Sequence, residues 1–408
     1  MASPSEFSFA LRSTPADVPY ACEEIRRQKE SPYDGLARFR LVGVDHEGLE
    51  WSFGWTIPKV EIGQTFWTFE GAVDGLWPND GSDAVSKDSS TEVIFLVPAG
   101  HPIARTLQRF LLKHPEHAGA RYEHVMEVLD STIKFVYEPS SNTLSVTASH
   151  SPDLPPTHAE NWLGEPLRIL SGQLVFPRLV ARNLGNGRSH ISVRRSPTVV
   201  YNAAWAALWS AENLAADEEA FWTVYAQLLA LIARARDKQG QRNFEAHKIT
   251  RLYEEIIQAA LGSRWVWALT FASSVEALAR MLIPKDAKPT TAESDAIAAL
   301  VAHINAGIGD PRLKTIAINA VNRTAEITII RVLRELKVTG VVTDDQLKAW
   351  EEIRNSVMHG SLVSPYSSES EDAKLLALAA MLHALTTEIL RRSAISSKHE
   401  ASPNIPAG

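Results

Sequence analysis

A change of repeat at Pro197 constrains this chain more than any other feature. Before it, short aromatic and β-branched runs alternate with Gly, Pro and Asp; after it, alanine, leucine and tryptophan recur at helical spacing through NAAWAALWSAENLAADEEAFWTVYAQLLALIARARDKQG. A two-residue period suits a pleated strand and a 3.6-residue period suits a helix, so the first part reads as mainly strand and the second as helix. The runs ARFRLVGVD, LEWSFGWTI, QTFWTFEGAV and TEVIFLVPAG read as strands, followed by DSTIKFVYE, NTLSVTAS, GQLVFPRLVARN and HISVRRSP, because such side chains pack well on a pleated surface. Asn186-Gly187 joins the last two and supplies the positive φ angles of a tight hairpin.

The helix HPIARTLQRFLLKHP interrupts these strands, with Ile103, Leu107, Phe110 and Leu111 on its apolar side and a stop before Pro115. Past Pro197 the spacing predicts helices at about 202–213, 217–236, 243–261, 264–283, 292–306, 312–319, 323–337, 344–358 and 370–392. The expected fold class is α+β and multidomain. A mainly β sensor or regulatory domain covers 1–197, a helical connector 198–242, an all-α bundle 243–392 and a disordered tail 393–408.

With 408 residues the chain can build more than one core. Its net charge of -7 excludes a generally polybasic nucleic-acid binder, so an anionic ligand must meet a local patch. Cys22 is the only cysteine, which rules out an intrachain disulfide and a cysteine-based zinc site and fits a cytoplasmic location. There is no eighteen-residue apolar run and the start MASPSEFSFALRSTPADVPY has no basic-then-apolar leader, so no membrane partner is expected. LGNGRS is a hairpin turn rather than a phosphate loop and no serine sits in a nucleophile elbow, which leaves nucleotide hydrolysis and esterase chemistry without support.

The strongest candidate for chemistry is EEIRNSVMHG, residues 351–360. Its helix begins at Thr343-Asp-Asp-Gln346, a capping box, and ends at Gly360, where a left-handed residue would close it. Asn355 and His359 lie four residues apart on one face with Arg354 beside them. Arginine stays charged and histidine exchanges protons near neutrality, so the group could clamp a phosphate and move a proton, as RNA transesterification requires. The competing reading is an ordinary polar helix end. Arg109 with His114 and Arg242-Asn243 with His247 repeat the spacing, but the first ends at the Pro115 break and the second follows the loop DKQGQ.

LKAWEEIRNSVMHGSLV resembles the signature of HEPN domains, α-helical bundles marked by arginine, four to six residues and histidine, often written Arg-Asn and then His-Gly. Arg354, Asn355, His359 and Gly360 match it. WVWALTFASSVEALARML is similar to the Glu-Ala-Leu helix of Apea-like HEPN proteins, so the resemblance spans about residues 243–392. It implies a metal-independent endoribonuclease without cofactor, built as a homodimer in which two motifs share one cleft. It assigns His359 as acid/base, Arg354 as phosphate clamp and Asn355 as orienting residue. Glu276 matches an acidic position of the earlier helix and is a possible accessory; its competing reading is a buried glutamate tied to a helix terminus. A β-rich front domain is usual in this branch, and a role in bacterial abortive-infection defence follows, with a phage-derived trigger or regulatory partner. The alternative is a non-catalytic module that dimerises or binds RNA or a partner protein.

Residues 168–195 hold Arg168, Arg178, Arg182, Arg188, Arg194 and Arg195 without an acidic residue, either a strip for RNA or another anion or the solvated faces of two strands. Trp51, Trp55, Trp67 and Trp77 could stack on bases, although core packing is the commoner use. His114, His117 and His124 are close in sequence, but Pro115 and Gly119 prevent a helix from presenting them to a metal.

Overall fold

The computed structural model describes residues 7–30, 39–73, 75–78, 86–97, 100–113, 122–185, 189–194, 218–242, 245–283, 291–323, 328–360 and 363–400. The chain divides into two units, Met1–Thr250 and Arg251–Gly408. The first is β-rich and the second helical, so the α+β class expected from the repeat patterns is the class observed.

In the first unit, β1 (Phe7–Ser13), β5 (Trp67–Val73) and β4 (Lys59–Ile62) form a small antiparallel sheet in that order. Nine further strands form the main sheet: β2 (Phe39–Val44), β3 (Glu50–Thr56), β6 (Gly75–Pro78), β7 (Ser90–Leu96), β8 (Tyr122–Val128), β9 (Ser131–Glu138), β10 (Thr143–Ser149), β11 (Pro177–Asn183) and β12 (Ser189–Arg194). Their order is β2-β3-β6-β12-β11-β7-β10-β9-β8. Alternate residues of the central strands face inward: Val93 and Phe95 on β7, Ile133, Phe135 and Tyr137 on β9, Leu144 and Val146 on β10 are all buried.

Of the helices of this unit, α1 (Pro19–Glu30) packs Cys22 and Ile25 with Trp67 and Phe69 of the small sheet's β5, whereas α2 (Pro102–Lys113), α3 (Pro156–Trp162) and α4 (Glu165–Ser171) accompany the main sheet. A fifth, α5 (Glu218–Arg234), falls in the segment read as a connector, yet it belongs to the sheet's core. Its Trp222 stacks on His124, with ring centroids 3.9 Å apart, and lies 4.8 Å from the Phe135 ring. Tyr225, fully buried, donates its hydroxyl hydrogen to the Leu163 carbonyl at 2.8 Å. The expected helix at 202–213 lies outside the described residues, as does the turn at Asn186-Gly187.

α6 (Lys248–Ala259) spans the division between units. The second unit continues with α7 (Arg264–Met281), α8 (Thr291–Ala306), α9 (Pro311–Arg323), α10 (Ile329–Val338), α11 (Asp344–Met358) and α12 (Glu369–Glu400). The spacing places a helix at each of these, but α9 runs on to Arg323, where the next helix was expected to begin, and α10 starts only at Ile329. α12 continues past 392 to include residues 393–400 of the expected disordered tail, since neither Gly nor Pro interrupts the chain before Pro403. α7 and α12 lie side by side. At one end Arg264 pairs with Asp372, and at the other Arg392 donates to the Leu282 carbonyl at 2.9 Å. Phe271, Val275 and Leu278 of α7 and Leu378, Leu382 and Leu385 of α12 are all buried. Glu369–Ala394 is long and apolar enough to cross a membrane, but 56% of its apolar 18-residue window is buried inside the protein.

Candidate functional site

The helix that carries the motif is fixed at both ends as its sequence predicts. At the start, Thr343 accepts a hydrogen bond from the Gln346 amide at 3.2 Å and Gln346 accepts one from the Thr343 amide at 3.0 Å. At the end, His359 is the C-cap and Gly360 takes φ +75°, with its amide bonded to the Val357 carbonyl. A left-handed residue there stops the helix immediately after the histidine.

The apolar side of α11 decides where the motif lies. Leu347, Trp350, Ile353 and Val357 are buried, and Trp350 donates its indole hydrogen to the Ala272 carbonyl of α7 at 3.2 Å. One turn after Trp350, Arg354 meets Glu276, one turn after Ala272, with Nε 3.4 Å from Oε2. The Arg354 guanidinium also lies 5.6 Å from the centre of the Trp350 ring, within cation–π range. Glu276 receives a second arginine, Arg280, at 3.2 Å. The carboxylate is thus half-buried in the middle of α7 between two cations, which replaces the expected buried glutamate at a helix terminus.

Arg354, Asn355 and Glu276 line one open cleft of about 350 Å³, together with Thr328, Ile329, Ile330, Trp350 and Glu351. Thr328 is also the N-cap of α10, its hydroxyl accepting from the Arg331 amide. Asn355 and His359 are exposed, and His359 is not among the residues lining the cleft. The cleft can therefore offer a fixed cation and a carboxamide to a phosphate, while an accessible imidazole stands at the end of the same helix.

The two look-alike pairs serve the first unit. Arg242 donates to the Pro152 carbonyl and lies 3.7 Å from Asp153. His247 accepts the Ile249 amide at its Nδ1, and burial, aided by Lys248, pushes its pKa down to about 4. Buried Glu165 caps the start of α6 by accepting from the His247 amide at 2.8 Å and the Thr250 hydroxyl at 2.6 Å. Arg109 lies on α2, and its partner His114 is outside the described residues.

The arginine group does not form the free strip that its lack of intervening acids suggested. Arg182 and Arg194 converge on Glu160 of α3, at 2.7 Å and 2.8 Å from its two oxygens. Arg168 is buried, donating to the Val175 carbonyl and lying over Phe176. Arg178 is buried too, donating to the Arg194 carbonyl and lying over Phe7. Arg188 and Arg195 fall outside the described residues.

Of the tryptophans, Trp67 is core, Trp51 donates to Asp45 at 2.8 Å, Trp77 is half-buried and Trp55 is exposed. His124 is stacked on Trp222, and burial lowers its pKa to about 4; His114 and His117 are not described. Among the described residues no group of three or more His, Cys, Asp or Glu side chains is placed to hold a metal.

No protein-family model matches the chain, and neither a characterised protein nor a solved structure is significantly similar to it.

Proposed function

We propose that this chain is a metal-independent endoribonuclease of the HEPN type, acting as a homodimer in defence against phage. The observation that carries the reading is the joint placement of Arg354 and Asn355 in an open cleft with His359 exposed at the end of the same helix. In the proposed reaction an imidazole removes the 2′-hydroxyl proton, the alkoxide attacks the adjacent phosphorus, and the 5′-oxygen leaves with a proton from a second imidazole. The products are a 2′,3′-cyclic phosphate and a 5′-hydroxyl. Arg354 offsets the charge that develops on the pentacovalent phosphate, which is where a fixed guanidinium contributes most. Asn355 orients the phosphate. Two copies of the motif supply the base and the acid.

A second reading, a non-catalytic HEPN-type module that binds RNA or a partner protein, draws on the pairing of Arg354 with Glu276. A guanidinium already facing a carboxylate is weaker as a clamp for a free phosphate. The two readings part on one experiment: incubation of the purified protein and its His359→Ala variant with transfer RNA and total RNA, with the new ends mapped. Cyclic-phosphate ends from the wild type alone support the ribonuclease, and intact RNA in both samples supports the binding module.

A further inference from the structure

The cleft of the second unit holds two carboxylates that the proposed reaction does not use, Glu276 and Glu351. Glu276 is engaged by two arginines, Arg354 at 3.4 Å and Arg280 at 3.2 Å. Glu351 is engaged far less: it lies 4.0 Å from Arg334, the outer limit of an ion pair, with both side chains exposed. Such a contact is worth little in water, so a ligand can draw the Glu351 carboxylate away from it at small cost. Glu351, Arg354 and Asn355 stand at i, i+3 and i+4 on α11, which puts all three on one face of the helix, the face that lines the cleft.

The make-up of the cleft suits a nucleobase better than a phosphate alone. Two carboxylates against one guanidinium repel a bare anion, whereas Ile329, Ile330 and Trp350 offer apolar lining to a flat ring. About 350 Å³ is at the small end of the ~300–1,000 Å³ of ligand sites, room for one nucleotide and not for a duplex. Which base it takes follows from the carboxylate, which can only accept hydrogen bonds. Of the four RNA bases only guanine carries two donors side by side on one edge, N1–H and the N2 amino group, and can meet both oxygens of one carboxylate. Adenine and cytosine set a lone pair beside the amino group, and uracil sets a carbonyl oxygen on each side of N3–H, so each turns an acceptor toward Glu351.

We infer that the cleft is a guanine pocket in which Glu351 accepts from N1–H and the N2 amino group, and that RNA is cut beside a guanosine. The site of cutting rests on the ribonuclease reading; the base contact stands on the cleft alone. Glu351 is then a specificity-determining residue, touching the base and none of the reacting atoms. Arg354 is left for the phosphate, which lies toward the C-terminal end of α11, where His359 is exposed.

The test is isothermal titration of the full chain with the 5′-monophosphates of guanosine, inosine, adenosine, cytidine and uridine, beside mapping of RNA ends. The guanosine nucleotide should bind about tenfold or more tightly than those of adenosine, cytidine and uridine. The inosine nucleotide, which lacks the N2 amino group, should fall between. Glu351→Gln should bring guanosine monophosphate down to the level of the adenosine nucleotide without a change in helicity. Glu352→Gln, at the next residue, whose carboxylate pairs with Lys374 outside the cleft lining, should keep the preference. Equal affinities, no binding, or a guanine preference that survives Glu351→Gln would overturn the inference. RNA ends beside guanosine that become scattered in Glu351→Gln support it, and wild-type ends without base preference overturn it while the ribonuclease reading stands. Intact RNA together with guanine-selective binding supports the pocket and removes the ribonuclease reading.

Discussion

Glu276 and Arg354 stand on two different helices, and the carboxylate oxygen of one lies 3.4 Å from the guanidinium Nε of the other. Arg354 is 41% exposed and Glu276 29%, so the pair is solvent-screened and contributes at most about 1 kcal/mol to stability. Its effect is on direction, since it holds Arg354 along the cleft wall over Trp350. Glu276→Gln should therefore shift the denaturation midpoint little, yet change the apparent KM for RNA. A large loss of stability would show that the pair is structural instead.

His359→Ala should abolish RNA cleavage while leaving the melting temperature within about a degree, because the residue is exposed. Chelator should leave the wild-type rate unchanged. Strong inhibition by chelator would point to a metal nuclease.

Trp350 locks α11 onto α7, and its replacement should act on folding before it acts on chemistry. Trp350→Phe removes the bond to the Ala272 carbonyl and should cost about 1 kcal/mol. Trp350→Ala opens a cavity at a residue only 4% exposed and should cost about 3–5 kcal/mol in chemical denaturation.

Glu160 is the shared partner of two arginines in the first unit. Glu160→Ala should destabilise by about 3 kcal/mol, since two cations lose their counter-charge. Removing Arg194 as well should add little, a non-additivity that a double-mutant cycle would measure. Full additivity would mean that the three side chains do not act together.

Burial holds His101 near a pKa of about 3 and His124 and His247 near about 4, all below the ordinary 6.5. An unfolded chain takes up these protons first. The stability that the neutral rings provide is complete above about pH 6.5 and falls as the pH drops toward about 4. Thermal melts across that window should show a steady decline; a flat profile would contradict the burial of these rings.

Helices were legible in this sequence because their signals are local: the capping box at Thr343, the glycine after His359 and the apolar spacing of α7 all act within a few residues. β8 was not legible. The turn that joins it to β9 is Leu129-Asp130, with φ near +56° and +55°, where sequence alone would ask for Asn-Gly. β1 and α1 were also missed, since β1 gains its meaning from β5, sixty residues later. The arginine group misled for the same reason. Its counter-charge, Glu160, lies on α3, ahead of the acid-free segment, and only the fold brings it to Arg182 and Arg194. At the motif, the cap and the exposed histidine follow from spacing, whereas the meeting of Arg354 with Glu276 depends on how Trp350 seats against Ala272.

In the main sheet β6 lies between β3 and β12. Among the described residues it joins β3 through Trp51 with Pro78 and Ser52 with Trp77, and β12 through Val193 with Leu76 and Arg194 with Gly75. At Gly75 a Cβ would sit 2.2 Å from the Val193 carbonyl oxygen, so no larger residue fits. Gly75→Ala should therefore push β6 away from β12, and the amide hydrogens of Val193 and Arg194 should then exchange with deuterium sooner than in the wild type.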